Sequence, residues 1–349
     1  MKNKFLLYPV FLLLFLFLFD KIFLIEFFKP YIKPDITTHI YYETRNDLLK
    51  ILGADDEVRT KKKKLMVILG SSRLLYFDAE QLREYYPDWK IYNFSSAVTT
   101  PAYYAYNLEK ILEKGIVPDF ILLETDPNQF NANSPVFKGS NLTYSFDLPF
   151  VLKNAGLFGK DYVSFYLGKF LFAVGKNKPH LDTAFKRASD PNFQTILAMQ
   201  NATRDFLLKN LGHASPIVES FVERDFASLQ ATSQRTMDWV YSGYRPSEMQ
   251  HEFYRRILSQ IHAKKIPLII VWPQSSIPMQ NLIQNAKFTP EWKKTVDADS
   301  SKYGYRIRNM SDTDRYSCNA FVDGGHIAKD CYYSFIRYVF QEYYLEYKL

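Results

Sequence analysis

Leu65-Met66-Val67-Ile68-Leu69-Gly70-Ser71-Ser72-Arg73 decides how this chain is read. Five consecutive apolar residues are too few for a helix and show no alternation, the pattern of a strand buried on both faces of a parallel sheet. The glycine and two serines that follow mark a strand-to-helix turn. A serine there has two readings. It is either a helix cap whose hydroxyl accepts from free N–H groups, or a nucleophile exposed at the strand's carboxyl end.

The same grammar continues on the C-terminal side. The patterns predict a short helix over Asp78 to Tyr86, a second strand over Lys90 to Phe94, and a helix over Pro101 to Lys114 with Tyr104, Leu108, Ile111 and Leu112 on one side. Phe120 to Leu123 reads as a third strand. This βαβαβ order predicts a doubly wound α/β fold, a three-layer parallel sheet of flavodoxin-like type with helices on both faces. From about residue 131 to 245 the alternation breaks, and apolar stretches at helical spacing are punctuated by Pro135, Pro149, Pro179, Pro191 and Pro216. A mainly helical insertion is expected there. Alternation resumes with a helix over Pro246 to Lys265, a strand over Leu268 to Trp272, a helix over Pro290 to Tyr303, a short strand over Tyr305 to Asn309, and a C-terminal helix from Ala328 to Tyr347. The α/β domain is therefore assigned to residues 61–349, a size suited to one core of about 200 to 300 residues with additions.

On the N-terminal side, Lys2 and Lys4 precede an apolar, aromatic run from Phe5 to Phe19 that continues through Asp20-Lys21 to Phe28. As one helix, Phe5 to Phe28 would extend about 36 Å, enough to span a bilayer. No small-residue cleavage site follows it, which favours a retained anchor over a cleaved signal peptide. The basic N-terminus and the absence of a second apolar span predict a single-pass protein of the cytoplasmic membrane, residues 1–28, with the remainder on the outer, periplasmic side. Asp20 and Lys21 either reach the headgroups or meet a polar partner at membrane depth. Residues 29–60, with Pro30 and Pro34, read as a stalk and lead-in helix running from the membrane to the core.

Net charge is +7, with the basic residues scattered except for Lys61 to Lys64. That run is either a solvated strand entry or a contact for anionic lipid or polymer. No nucleic-acid module is evident, and no nucleic-acid partner is expected. Aromatics make up 17% of the chain, which suits packing, an envelope surface or carbohydrate contact.

Asp323-Gly324-Gly325-His326 lies near the C-terminus, between Cys318 and Cys331. In an oxidising compartment the two cysteines would close a loop that braces His326; otherwise they are buried thiols. Strand carboxyl ends gather the working groups of open parallel sheets. Four features fall there: Gly70 to Arg73, Asn93 to Ala97, Glu124 to Asn128, and Asp323 to His326. Ser72 is the candidate nucleophile, His326 the base and Asp323 its orienting acid. His39, His180, His213, His251 and His262 have no comparable setting and read as surface or satisfied core residues. No group of ligand-type residues has metal spacing, so neither a metal nor another cofactor is expected.

The strand with its Gly-Ser-Ser turn, the Asn93-bearing strand end, the third strand end and Asp323-x-x-His326 together resemble the SGNH (GDSL-like) hydrolase superfamily. With the anchor, the chain looks like membrane-anchored members that work beside membrane-bound O-acyltransferases on envelope polymers. Among these are the accessory protein of teichoic-acid D-alanylation and an uncharacterised spirochaete family of unknown function. The resemblance covers most of residues 60–349. It implies attack by Ser72 on an ester carbonyl, with the Ser72 backbone N–H as one oxyanion donor. Ser71 stands where the more usual motif has Asp. Ser95-Ser96-Ala97 replaces the usual glycine after the second strand, leaving the Ala97 N–H as a donor. In the third block Glu124-Thr125-Asp126-Pro127-Asn128 replaces a Gly-x-Asn-Asp type motif, with Asn128 as its side-chain donor. Ser71, Arg73, Ala97 and Asn128 are thus the expected oxyanion and substrate contacts. The implied function is a serine acyl-esterase or O-acyltransferase acting on an envelope glycan or glycolipid. The alternative is a non-catalytic accessory protein that holds a membrane-bound O-acyltransferase or an envelope polymer.

Overall fold

A computed structural model describes residues 5, 7–25, 27–32, 38–174, 179–215 and 221–347. Lys2, Lys4, Pro34 and Pro216, used above, lie outside the described residues. The chain forms two compact units, one of Met1–Ile40 with Asp147–Arg204, the other of Tyr41–Phe146 with Asp205–Leu349.

The second unit holds an α/β core around one parallel sheet. Its strands are β1 (Lys64–Leu69), β2 (Trp89–Asn93), β3 (Phe120–Glu124), β4 (Leu268–Trp272) and β5 (Ile307–Asn309), in the order β2-β1-β3-β4-β5. β1 runs between its neighbours with Ile68 opposite both Asn93 and Leu122. The chain leaves β1 towards β2 and then crosses to β3 on the other side, so the crevice at the carboxyl ends of β1 and β3 is the topological switch point. Both faces of the sheet are buried. Met66, Ile68, Leu122, Ile269 and Val271 belong to one core with Phe335, Ile336, Val339, Phe340 and Tyr343 of the C-terminal helix Cys331–Tyr347. The alternate residues Leu65, Val67, Leu69, Ile121, Leu123 and Ile270 are equally buried, as strands covered on both faces require.

Local chemistry fixes where the helices begin. Asp78 Oδ1 accepts from the N–H groups of Glu80 (2.9 Å) and Gln81 (3.1 Å) and starts the helix Ala79–Tyr85. Thr100 and Pro101 open the helix Pro101–Glu113, Pro101 occupying a first-turn position where no N–H is needed. That helix ends at Lys114, and Gly115 follows with φ of 74°.

Two expectations change. The lead-in helix expected within residues 29–60 is Thr38–Ala54, and its Tyr42, Leu48, Leu49 and Leu52 are buried rather than exposed along a stalk. Its residues from Tyr41 onward therefore belong to the core unit. The expected single apolar helix from Phe5 to Phe28 is also corrected. Helix Leu7–Ile22 has 16 residues, about 24 Å, and ends in tight turns in which Leu24 N–H bonds Lys21 O (3.0 Å) and Ile25 N–H bonds Ile22 O (3.1 Å). Among the described residues no helix is long and apolar enough to cross a membrane. Asp20 and Lys21 meet polar partners inside the first unit. They pair at 2.7 Å, Asp20 accepts from the N–H groups of Ala173 and Val174 (2.7 Å each), and Lys21 donates to Leu171 O (2.7 Å).

The lysine run at the entry to β1 is tied locally, with Lys61 3.5 Å from Asp119, Lys63 3.9 Å from Glu57, and Lys64 over the Trp89 ring.

Candidate active site

The turn from Gly70 to Arg73 is built from close approach. A side chain on Gly70 would put its Cβ 2.8 Å from Leu74 Cβ and 2.9 Å from Glu124 Oε2, so the chain passes over Glu124 only because residue 70 has none. Ser71 then caps the one-turn 3₁₀ helix Ser72–Leu74, its Oγ accepting from Arg73 N–H (3.3 Å). Ser72 becomes the first residue of that turn, partly exposed at the carboxyl end of β1.

Asp323 and His326 occupy a tight loop whose stems pair at Phe321 and Ile327. Asp323 Oδ1 accepts from the N–H groups of Gly325 (2.8 Å) and His326 (2.9 Å). Three further contacts hold the loop. Gly324 N–H donates to Thr232 Oγ1 (3.0 Å), Gly324 O accepts from Ser276 N–H (3.0 Å), and Cys318 is disulfide-bonded to Cys331 with Cα atoms 5.4 Å apart. At Gly324 a Cβ would stand 2.7 Å from Ser233 Cα, so the sequence Asp-Gly-Gly-His allows helix Phe226–Thr236 to press on the loop.

These two turns bring Ser72 Oγ to 2.7 Å from His326 Nε2, while His326 Nδ1 lies 2.9 and 3.0 Å from the two Asp323 oxygens. An ionised Asp323 requires the proton on Nδ1, which leaves Nε2 to accept the serine proton. Burial by itself pushes the Asp323 carboxyl up, but the charge and hydrogen bond of His326, with the two backbone N–H groups, outweigh it and hold the group at about 2.

Beneath the serine lies a buried array of charge. Glu124 accepts from Ser71 N–H (2.6 Å), Ser71 Oγ (2.8 Å), Arg73 Nη2 (2.7 Å) and Gln129 Nε2 (3.1 Å). Arg73 Nη1 lies 2.8 Å from Asp126. Burial works against the Arg73 charge, but Asp126 and Glu124 outweigh it and raise the guanidinium above its ordinary pKa. Asp126 also accepts from Tyr241 OH (2.6 Å), Trp272 Nε1 (3.2 Å) and Asn128 N–H (2.9 Å).

Sequence reasoning took Ser71 and Arg73 as substrate contacts. Both line the cavity, but the Ser71 hydroxyl donates to Glu124 and the Arg73 guanidinium is spent on two buried carboxylates. The Asn128 side-chain amide bonds Asp126 and approaches Tyr241 OH at 3.5 Å. Among the described residues the N–H groups of Ser72 and Ala97 have no protein acceptor. Asn93, which marked the second strand end, is structural. It donates to Leu74 O (2.7 Å), accepts from Ser95 N–H (2.9 Å), and lies 3.2 Å from His213 Nδ1.

Glu124, Asp126, Thr232 and Ser276 had no assigned role in the sequence. A signal for Glu124 existed: a carboxylate ending the apolar run Phe120-Ile121-Leu122-Leu123 cannot be buried without a cation.

A cavity of about 370 Å³ opens on this group, lined by Ser72, His326, Asp323, Ala97, Asn128 and a set of apolar side chains. A larger one, about 480 Å³ at the β5 edge, contains none of the candidate residues, and its Arg308 and Glu342 pair with each other at 2.7 Å. Among the described residues no group of histidine, cysteine and carboxylate side chains could hold a metal ion.

Residues 1–343 match the family model described as protein of unknown function (DUF1574), and the chain belongs to that family. No curated protein matches it.

Proposed function

We propose that this DUF1574 protein is a membrane-anchored serine acyl-esterase or O-acyltransferase of the SGNH type, acting on a cell-envelope glycan or glycolipid outside the cytoplasmic membrane. The observation that carries the reading is the 2.7 Å approach of Ser72 Oγ to a His326 whose other nitrogen bonds Asp323. In the proposed reaction Ser72 Oγ attacks the ester carbonyl as its proton passes to His326 Nε2. The ester C–O bond breaks, and His326 returns the proton to the departing alcohol. Water, or a sugar hydroxyl, then attacks the acyl carbon as its proton passes to His326; the acyl–Oγ bond breaks, and His326 returns the proton to Ser72 Oγ. The N–H groups of Ser72 and Ala97 are the oxyanion donors, each worth about 3 kcal/mol where well aimed.

The apolar run from Phe5 to Phe28 is the proposed anchor. Every described side chain of Leu7–Phe19 is exposed, which suits a lipid surround, and a membrane-bound O-acyltransferase is the proposed partner. A fluorophosphonate probe is expected to label the purified full chain at Ser72. Ser72→Ala should abolish labelling and His326→Ala should slow it at least a hundredfold. A folded sample that remains unlabelled refutes the catalytic reading.

The second reading, a non-catalytic accessory protein, draws on the engagement of the Asn128 amide by Asp126. Under it, Ser72→Ala leaves cellular function intact, whereas exchange of residues 1–28 for an unrelated span abolishes it.

A further inference from the structure

The cavity at Ser72 has two kinds of lining. Beside the polar group lie Val98, Val136, Val240, Met279 and Ile283. These are not scattered: Val136, Val240, Met279 and Ile283 form one buried cluster, against which Val98 packs. They come from the loop after β2, the segment after β3, the turn Met237–Tyr241 and the helix Ile277–Gln284. Four separate parts of the chain therefore converge to put a continuous apolar surface in the same cavity as the serine.

Size and charge narrow what that surface accepts. At roughly 30 Å³ per water-sized group, 370 Å³ holds about a dozen non-hydrogen atoms, whereas an acetyl group has three. An aminoacyl group would bring an ammonium that needs a carboxylate. The nearby carboxylates are committed, Glu124 and Asp126 to Arg73, and Asp323 to His326. Resting on the serine acyl-transfer reading, we infer that the acyl group carried by Ser72 is a hydrocarbon chain of medium length, about six to ten carbons, without an ammonium group, and so neither acetyl nor aminoacyl.

The test uses the full chain in lipid nanodiscs, with a p-nitrophenyl ester series from acetate to decanoate and fluorophosphonate labelling of Ser72 run alongside. Burial of a methylene multiplies kcat/KM by about fourfold, so octanoate is expected to exceed acetate at least a hundredfold. Val98→Phe and Met279→Trp, which fill the cavity from two different elements, should each lower the octanoate-to-acetate ratio at least tenfold. The ratio controls for loss of folded protein. A labelled Ser72 with acetate equal to or better than octanoate overturns the inference and leaves the serine reading standing. So does a ratio unmoved by both variants. Absence of labelling and of turnover with every ester overturns both.

Discussion

At the scale of single residues, Glu124 does more for the site than any position outside Ser72, His326 and Asp323. It binds both the backbone and the hydroxyl of Ser71 and neutralises Arg73, so the geometry of the following serine depends on a carboxylate 52 positions later in the chain. Replacing one partner of a buried ion pair leaves the other charge uncompensated. Glu124→Ala is therefore expected to cost about 3 kcal/mol or more in denaturant unfolding and to slow labelling of Ser72 at least tenfold. Unchanged stability in that variant would remove the array from the account. Ser72, His326 and Asp323 were legible in the sequence because the chemistry restricts them to a strand-end turn and a three-residue spacing. The buried partners of Ser71 and Arg73 were not legible, because Glu124 at the end of β3 and Asp126 just after it are distant in sequence, and no local pattern says that a polar side chain points inward.

At the scale of elements, the buried parallel strands were the most legible. β4 was read at its full extent and the others to within one or two residues, since continuous apolar runs between turn residues have few alternatives. The helix Ile277–Gln284 was missed because Pro273 and Pro278 made its start resemble a loop, although proline at a helix's first turn is favourable. The loop that carries Asp323 and His326 has little regular structure of its own and is held by neighbours. Its disulfide closes a segment whose loop-entropy contribution is on the order of 3 kcal/mol. Cys318→Ser with Cys331→Ser is expected to lower stability by about that amount and the Ser72 labelling rate at least fivefold, compared by chemical denaturation and by probe kinetics. A variant with native labelling would show that the contacts of Gly324 to Thr232 and Ser276 suffice.

For the whole molecule, the βα alternation predicted a doubly wound sheet, but not the insertion of residues 147–204 into a unit with Met1–Ile40. Contacts between distant segments decide that grouping, and periodicity carries none of them. The core unit also holds two buried histidines, His213 and His251, each kept near 4, chiefly by burial. A histidine whose folded value lies below its unfolded value of about 6.5 stabilises the protein fully above that pH and progressively loses the contribution down to the folded value. Stability is thus expected to fall between pH 6.5 and 4, by roughly 3 kcal/mol per histidine. His213→Asn should flatten its share of that slope in denaturant midpoints measured at pH 7 and pH 5. An unaltered slope would mean that His213 takes up its proton as readily in the folded protein as in the unfolded chain, against the effect of its burial.

The bridge from Cys318 to Cys331 also bears on timing. Thiols stay reduced in the cytosol, so a newly made chain there carries its histidine on an untied loop. Under the location and chemistry proposed above, oxidation outside the membrane would tie that loop, and the triad would be braced only where its proposed substrates lie.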